Sequence, residues 1–469
     1  MQWLAALSIT TIALLVLLNG TFFSSYSAPH IDFSINFSAA HALRDGNNPY
    51  GTTTLYDYAV EVGSQTELIY SQLYTSYIQP PTSALSIMPL TLLSWRDASR
   101  VYLVLNHVLL FAAVALTLCT VRPSLPLPWA IAGASVVVAF YSQLNGSFSL
   151  GQVDATLLLL FALGFWAFCR NRPAIAGSAI AIAAAIKLVP ALLLLYFLWK
   201  RDYRAFAWGA GVGLALFLAS LAAVGPGIYE TYVTETLPAL AKGSTHYSNA
   251  SFGGLIARLS TPDVIKVLPD IYYLDEVPSG ATARLASLAV TLGAIVALAL
   301  LIPRGRVASA ASTGSAPDEA PRRDPYRLVF EYYLVVAVTI MVSSVAWEFY
   351  SVWLIPVFLA AFLAPDRVLP GRPWRWAGLV LLALVYVGLN YPGDFFIFDR
   401  NGFFYHPEWV TGVWVEERIR LYHNHLDAIL ILRLSSLLLL GCILGALIFW
   451  NRVRRGLVAD DDSVPASRE

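Results

Sequence analysis

The sequence predicts an all-α polytopic membrane protein with about twelve transmembrane helices and a long first loop on the outer face. Three observations carry this prediction. Of the 469 residues, 57% are hydrophobic and only 13% are charged, against roughly 25% charged in a soluble domain. Apolar runs able to cross about 30 Å of hydrocarbon at about 1.5 Å per residue recur from one end of the chain to the other. Lys and Arg gather between those runs in clusters that give successive spans alternating orientations.

The first run, Trp3–Phe23, has no Lys/Arg leader and is long for the apolar part of a signal peptide, so it reads as the first transmembrane helix. Further spans are expected at about Arg100–Val121, Pro128–Leu144, Gln152–Cys169, Arg204–Val224, Arg284–Ile302, Leu328–Ser343, Ser351–Ala364, Arg375–Asn390 and Asp427–Trp450. Pro173–Trp199 is flanked by Arg170 and Arg172 on one side and by Lys200, Arg201 and Arg204 on the other. One helix cannot begin and end on the same side of a membrane. Two shorter helices meeting at Lys187–Pro190 are therefore expected, with Pro190 supplying the break. Pro80–Trp95 is too short to span and reads as an outer helix lying on the membrane.

Arg122, the arginines from 304 to 327 and from 367 to 375, and Arg452 to Arg455 mark cytoplasmic ends, which puts both termini in the cytoplasm. The expected organisation is a membrane domain over residues 1–451, within which 24–99 form an outer loop and 304–327 a cytoplasmic linker, followed by a cytoplasmic tail over 452–469. Linker and tail are Ala/Ser/Pro- or Asp-rich with few large apolar groups, a composition that favours disorder.

The formal net charge is zero, so no basic field is available to hold nucleic acid, and no nucleic-acid partner is expected. Cys119, Cys169 and Cys442 fall within or beside apolar runs and form no disulfide or zinc pattern. The late loop holds His406, His423 and His425; the H-N-H spacing of the last two invites a metal, but no nearby Cys or clear third ligand completes a site, so none is expected. Aromatic residues of the outer loops, such as Trp409 and Trp414, fit a membrane-interface belt.

Several short motifs occur in a fixed order: D-F at 32 to 33, A-A-H-A-L at 39 to 43, N-P-Y at 48 to 50, P-P at 80 to 81, G-Q-V-D at 151 to 154, K-L-V-P at 187 to 190, N-A-S-F-G-G-L-I-A-R-L at 249 to 259 and S-S-V-A-W-E-F-Y at 343 to 350. Taken together, from Asp32 to about Pro356, the series resembles glycosyltransferase family 87. The resemblance implies a GT-C type glycosyltransferase fold. It also implies inverting transfer of a sugar, mannose first among candidates, from a polyprenyl-phosphate donor to a lipid or cell-envelope glycan acceptor. The active site would lie on the extracytoplasmic face of the bacterial inner (plasma) membrane, with membrane lipids as surroundings. The family's catalytic aspartate matches Asp32. The last motif departs from the family pattern, in which proline follows the first serine and histidine follows the Trp-x pair. Here Ser344, Phe349 and Tyr350 stand in those places, so Glu348 or Tyr350 would take over the work of the histidine.

Asp32 is the candidate general base, taking the proton of the acceptor hydroxyl as its oxygen attacks the anomeric carbon. Its structural alternative is a helix N-cap at the start of DFSINFSAAHAL. One carboxylate suffices for this transfer, unlike the pair used in glycoside hydrolysis, and no metal or other cofactor is required. Lys187, an ionisable group inside an apolar segment, is a candidate contact for the donor phosphate, or else a lysine snorkelling from a helix end. Arg258 is a second phosphate candidate, or else one half of an ion pair. Asn145 and Gln152 offer neutral hydrogen bonds to sugar hydroxyls, or cap the helix that follows. Asn249, Trp347, Glu348 and Tyr350 complete the expected sugar or acceptor contacts. The alternative function is a transporter or flippase of lipid-linked sugars. The absence of an evident internal repeat and the concentration of polar groups on one face argue against it.

Overall fold

A computed structural model of the chain describes residues 2–28, 30–63, 77–241, 243–244, 249–260, 281–305, 323–369, 371–391 and 413–461. The described elements are helical, apart from an isolated antiparallel bridge between Asn249 and Trp347. In chain order the α-helices are α1 Gln2–Leu18, α2 Ile31–Arg44, α3 Thr52–Glu61, α4 Pro81–Ile87, α5 Trp95–Val121, α6 Leu127–Ala139, α7 Gln143–Leu150, α8 Asp154–Cys169, α9 Pro173–Ile186 and α10 Leu192–Trp199. There follow α11 Tyr203–Val224, α12 Pro226–Thr231, α13 Leu237–Ala241, α14 Phe252–Ser260, α15 Ala281–Leu301, α16 Pro325–Val342, α17 Ile355–Leu363, α18 Pro365–Val368, α19 Arg372–Leu389 and α20 Val413–Asp461.

Among the described residues, five helices are long and apolar enough to cross a membrane: Gln2–Phe23, Trp95–Val121, Tyr203–Val224, Pro325–Val342 and Asp427–Val453. The pair α6 and α7, bent by 66°, makes a sixth if it counts as one span. The other runs of the expected twelve appear as shorter apolar helices, among them α8, α9, α10 and α19. The run expected as Pro128–Leu144 is broken after Ala139, and most of the connection between it and the next expected span is helical, as α7.

Proline chemistry explains two further breaks. Lys187 leaves α9 with an extended backbone, and Val189–Ala191 forms a short 3-10 turn around Pro190 before α10 begins. Because proline has no N–H and crowds the preceding turn, the helix cannot pass through it. Pro80–Trp95 is not one surface helix. It divides into α4 and a 3-10 segment, Met88–Leu92, around Pro89, and the chain then turns at Ser94, whose hydroxyl accepts from the Asp97 amide to cap α5.

Helix α16 is buried on nearly every side from Leu328 to Met341 and forms the axis of the bundle. Large apolar side chains of α1, α11 and α19, such as Leu7, Leu214 and Leu384, point outward. Helices α9 and α11 meet backbone to backbone at Gly177, where an added Cβ would lie 2.0 Å from the Ala205 carbonyl oxygen. Small residues at such crossings allow the close van der Waals approach that holds helices together where water does not drive them.

Charged groups are paired inside one end of this bundle. Lys200 lies 2.8 Å from Glu331, Arg327 lies 3.3 Å from the same carboxylate, and Arg323 lies 2.6 Å from Asp202. The linker expected over 304–327 falls largely outside the described residues, as do His406 and Trp409. The tail expected from 452 onward continues as α20 to Asp461.

Candidate active site

The site is assembled at the end of the bundle opposite those ion pairs, where α8 begins and α9 stops. Helix α2 lies across this end with every residue from Phe33 to Ala40 buried. Its start is set by His30, which adopts a left-handed conformation (φ 45°) and whose ring Nε2–H donates to the Ser25 carbonyl at 2.7 Å. His30 therefore occupies the N-cap, and Asp32 is the second residue of the helix. Its carboxylate does not cap the helix; it faces a cavity that it lines together with Asn36, Tyr77, Gln79, Gln152 and Trp347. A carboxylate in a first helical turn is also favoured by the helix dipole.

Gly151 permits the close approach. It ends α7 in the left-handed region (φ 70°), and an added Cβ would sit 2.6 Å from the Cβ of Phe33. With no side chain there, α2 rests directly on the turn, which brings Gln152 to Asp32. The Gln152 carbonyl is in turn held by the Tyr102 hydroxyl at 3.3 Å and the Asn106 amide at 3.2 Å, both from α5.

Gln152 then stands between two charges. Its side-chain oxygen accepts from Lys187 Nζ at 3.4 Å, and its side chain shares the cavity wall with Asp32. With its oxygen turned to the ammonium, the amide has its NH2 left for the carboxylate side. Lys187 also lies 3.8 Å from Asp154 and 3.9 Å from the centroid of the Tyr350 ring. Tyr350 stacks on Trp353 at 4.5 Å, and Trp353 Nε1–H donates to Asp154 at 3.1 Å. Burial pushes the Asp32 carboxyl up to about 6; the Gln152 amide and the Lys187 charge oppose that rise, and the Asp154 charge adds to it. A carboxylate tuned in this way can act as a base near neutral pH.

The remaining sequence candidates fall elsewhere. Asn145 is exposed, accepts from Ser24 Oγ at 3.2 Å and does not line the cavity. Asn249 is fully buried with its amide engaged in four hydrogen bonds: it donates to the Ser244 and Ser344 carbonyls and accepts from the Ser251 hydroxyl and the Ala346 amide. It fastens the segment that carries Trp347. Arg258 pairs with Asp427, and Glu348 pairs with Arg433. Asp154, Asp427 and Arg433 were not read from the sequence as site or partner residues, although each is a charge in or beside an apolar run, which was the available signal. Nothing in the sequence marked Trp353.

Comparison with known proteins follows the same lines. The family model described as glycosyltransferase family 87 matches residues 77–317. That stretch holds Gln152, Asp154, Lys187, Asn249 and Arg258, and leaves out Asp32, Trp347, Glu348 and Tyr350. A polyprenol-phosphate-mannose-dependent alpha-(1-2)-phosphatidylinositol mannoside mannosyltransferase of Mycolicibacterium smegmatis is 28% identical over 62% of this chain and 62% of its own length. The protein of the same description from Mycobacterium tuberculosis is 29% identical over 37% of this chain and 41% of its own. A polyprenol-phosphate-mannose-dependent alpha-(1-2)-phosphatidylinositol pentamannoside mannosyltransferase, also from Mycobacterium tuberculosis, is 25% identical over 77% of this chain and 73% of its own. The chain thus matches less than two thirds of the length of the first two. No solved structure matches it significantly.

Proposed function

The chain belongs to glycosyltransferase family 87, and from that premise we propose that it is a membrane mannosyltransferase that takes mannose from a polyprenyl-phosphate donor. The acceptor is a mannosylated phosphatidylinositol or a related envelope glycolipid, as the names of its relatives suggest. The observation that carries this reading is the pairing of Asp32 and Gln152 on the wall of one cavity, with Lys187 immediately behind Gln152.

In the reaction the acceptor hydroxyl enters the cavity beside Asp32. Its oxygen forms a bond to the anomeric carbon while the bond from that carbon to the phosphate oxygen breaks, inverting the configuration. The hydroxyl proton passes to Asp32, and the polyprenyl phosphate departs with the bonding pair. Lys187, immediately behind Gln152, provides positive potential for the departing phosphate, which is worth most where water is excluded. Trp347, on the cavity wall, offers an aromatic face to a sugar ring, and Gln79 and Asn36 offer hydrogen bonds to hydroxyls. The extracytoplasmic placement of this cavity is supported by the basic residues Lys200, Arg323 and Arg327 at the opposite end, since such residues favour the cytoplasmic side.

Purified protein in proteoliposomes, given polyprenyl-phosphate [14C]mannose and phosphatidylinositol mannosides, should label the acceptor, and the Asp32→Asn variant should not. Label from a glucose or arabinose donor in place of mannose would change the assigned sugar. Equal labelling by both proteins would remove Asp32 as the base.

A further inference from the structure

Lys187 does not line the cavity; Gln152 stands between it and Asp32. Its contacts differ from those of Lys200, the other buried and paired lysine among the described residues. Lys200 lies 2.8 Å from Glu331, the distance of a charge-assisted hydrogen bond, and both side chains are almost fully enclosed. The Lys187 ammonium is just as enclosed, yet it stands 3.8 Å from Asp154, 3.4 Å from the Gln152 oxygen and 3.9 Å from the Tyr350 ring centroid. It is held by electron-rich groups on three elements, and its closest polar contact is the Gln152 oxygen.

Asp154 is built to anchor such a group. It begins α8 but supplies no cap to that helix. One oxygen accepts from Ser147 on α7 at 2.9 Å, the other from Trp353 on the 3-10 helix Glu348–Leu354 at 3.1 Å. A buried carboxylate fixed from two sides gives the lysine a counter-charge, without which a dry ammonium is costly.

We propose that Asp154, Lys187 and Gln152 form a relay that orients the Asp32 carboxylate at the cavity wall, with Lys187 and Gln152 as positioning residues. The Lys187 ammonium fixes the Gln152 amide with its oxygen inward, which leaves its NH2 for the cavity wall that Gln152 shares with Asp32. The same charge favours the ionised carboxylate, which is the form that accepts a proton. The charged and titratable groups around Asp32 are Lys187 from the end of α9, Asp154 from α8, Tyr102 from α5 and Tyr77, which lines the same cavity; Lys187 favours ionisation, and Asp154 opposes it more weakly. The relay rests on the reading of Asp32 as the base, and it adds a second task for Lys187 beyond the field at the departing phosphate.

The test is the pH profile of kcat/KM for transfer from polyprenyl-phosphate [14C]mannose to phosphatidylinositol mannosides in proteoliposomes. Lys187→Met and Gln152→Leu should each move the acid limb upward by about one pH unit. Lys187→Arg should return the limb toward its original position. Gln152→Leu leaves the Lys187 and Asp154 pair intact, so it remains informative if the lysine variant does not fold. A limb unmoved in Gln152→Leu overturns the relay, and so does a Lys187→Met enzyme slowed equally at every pH; the latter leaves Lys187 with the phosphate alone. Failure of the underlying reading would look different, because Asp32→Asn would then retain transfer.

Discussion

Replacing Asp32 with Asn should abolish most transfer and stabilise the protein at the same time. The volume is unchanged, and an amide can still meet Gln152, so α2 keeps its place against Gly151. A positioned general base is worth about 10²- to 10⁴-fold in rate, which sets the expected loss in kcat/KM at about 3 to 5 kcal/mol of barrier. The stability effect has the opposite sign. The folded-state pKa of about 6 lies above the ordinary value of 3.8, so the ionised carboxylate is disfavoured by folding. The protein is accordingly more stable below about pH 4 with respect to this group, and it loses that stability as pH rises through the window from 3.8 to about 6. At about 1.4 kcal/mol per unit, the cost at pH 8 is about 3 kcal/mol as an upper bound, since Asp32 remains partly exposed. Asn removes the charge and with it the cost. The assay pairs labelled-mannose transfer with thermal unfolding in detergent at pH 8 and pH 4.5. Lost activity with a higher melting temperature at pH 8, and a gain about a third as large at pH 4.5, supports the base. Lost activity with a lower melting temperature at both pH values would refute the argument, because it would make Asp32 a structural residue.

The unmutated enzyme should lose kcat/KM on acidification with a midpoint near pH 6, because protonated Asp32 cannot accept the acceptor's proton; a flat profile between about pH 5 and 7 would contradict this. Glu331→Ala should destabilise the bundle by about 3 to 5 kcal/mol by leaving Lys200 and Arg327 buried without their carboxylate, read as a large fall in melting temperature in detergent. Gly151→Ala should cost at least about 1 kcal/mol from the left-handed backbone alone and should lower transfer as well, because the new methyl group would meet Phe33 and displace the helix that carries Asp32. A Gly151→Ala protein with unchanged melting temperature and turnover would show that α2 is not seated through this contact.

Much of the architecture was legible because it depends on local properties of the chain. A helix in hydrocarbon must satisfy its own backbone, so apolar length predicts it. Proline breaks a helix wherever it occurs, so the interruption at Lys187–Pro190 appeared where the sequence put it. The boundaries drawn around Pro128–Leu144 and Pro80–Trp95 were less accurate. Hydropathy continues smoothly through Phe140 and Leu92 and marks no boundary there, although Pro89 is a local signal for the break in the second run.

Asp32, Gln152 and Lys187 could be named from the sequence because polar groups are conspicuous in apolar surroundings, where each one needs a reason to be present. Their partners could not be named. Arg258 and Glu348 looked as available as Lys187, yet each is engaged by a charge on α20, Asp427 and Arg433, far along the chain. Asn249 looked like a sugar ligand and instead ties down the segment that carries Trp347. Spacing along the chain shows which side chains share a helix face; it does not show which of them meet across helices. The sequence by itself determined a multi-pass helical membrane protein with a carboxylate outside its first span and a lysine at a helix break. Only the tertiary structure decided that Gly151 lets α2 touch the turn holding Gln152, and that a single amide then stands between the carboxylate and the lysine.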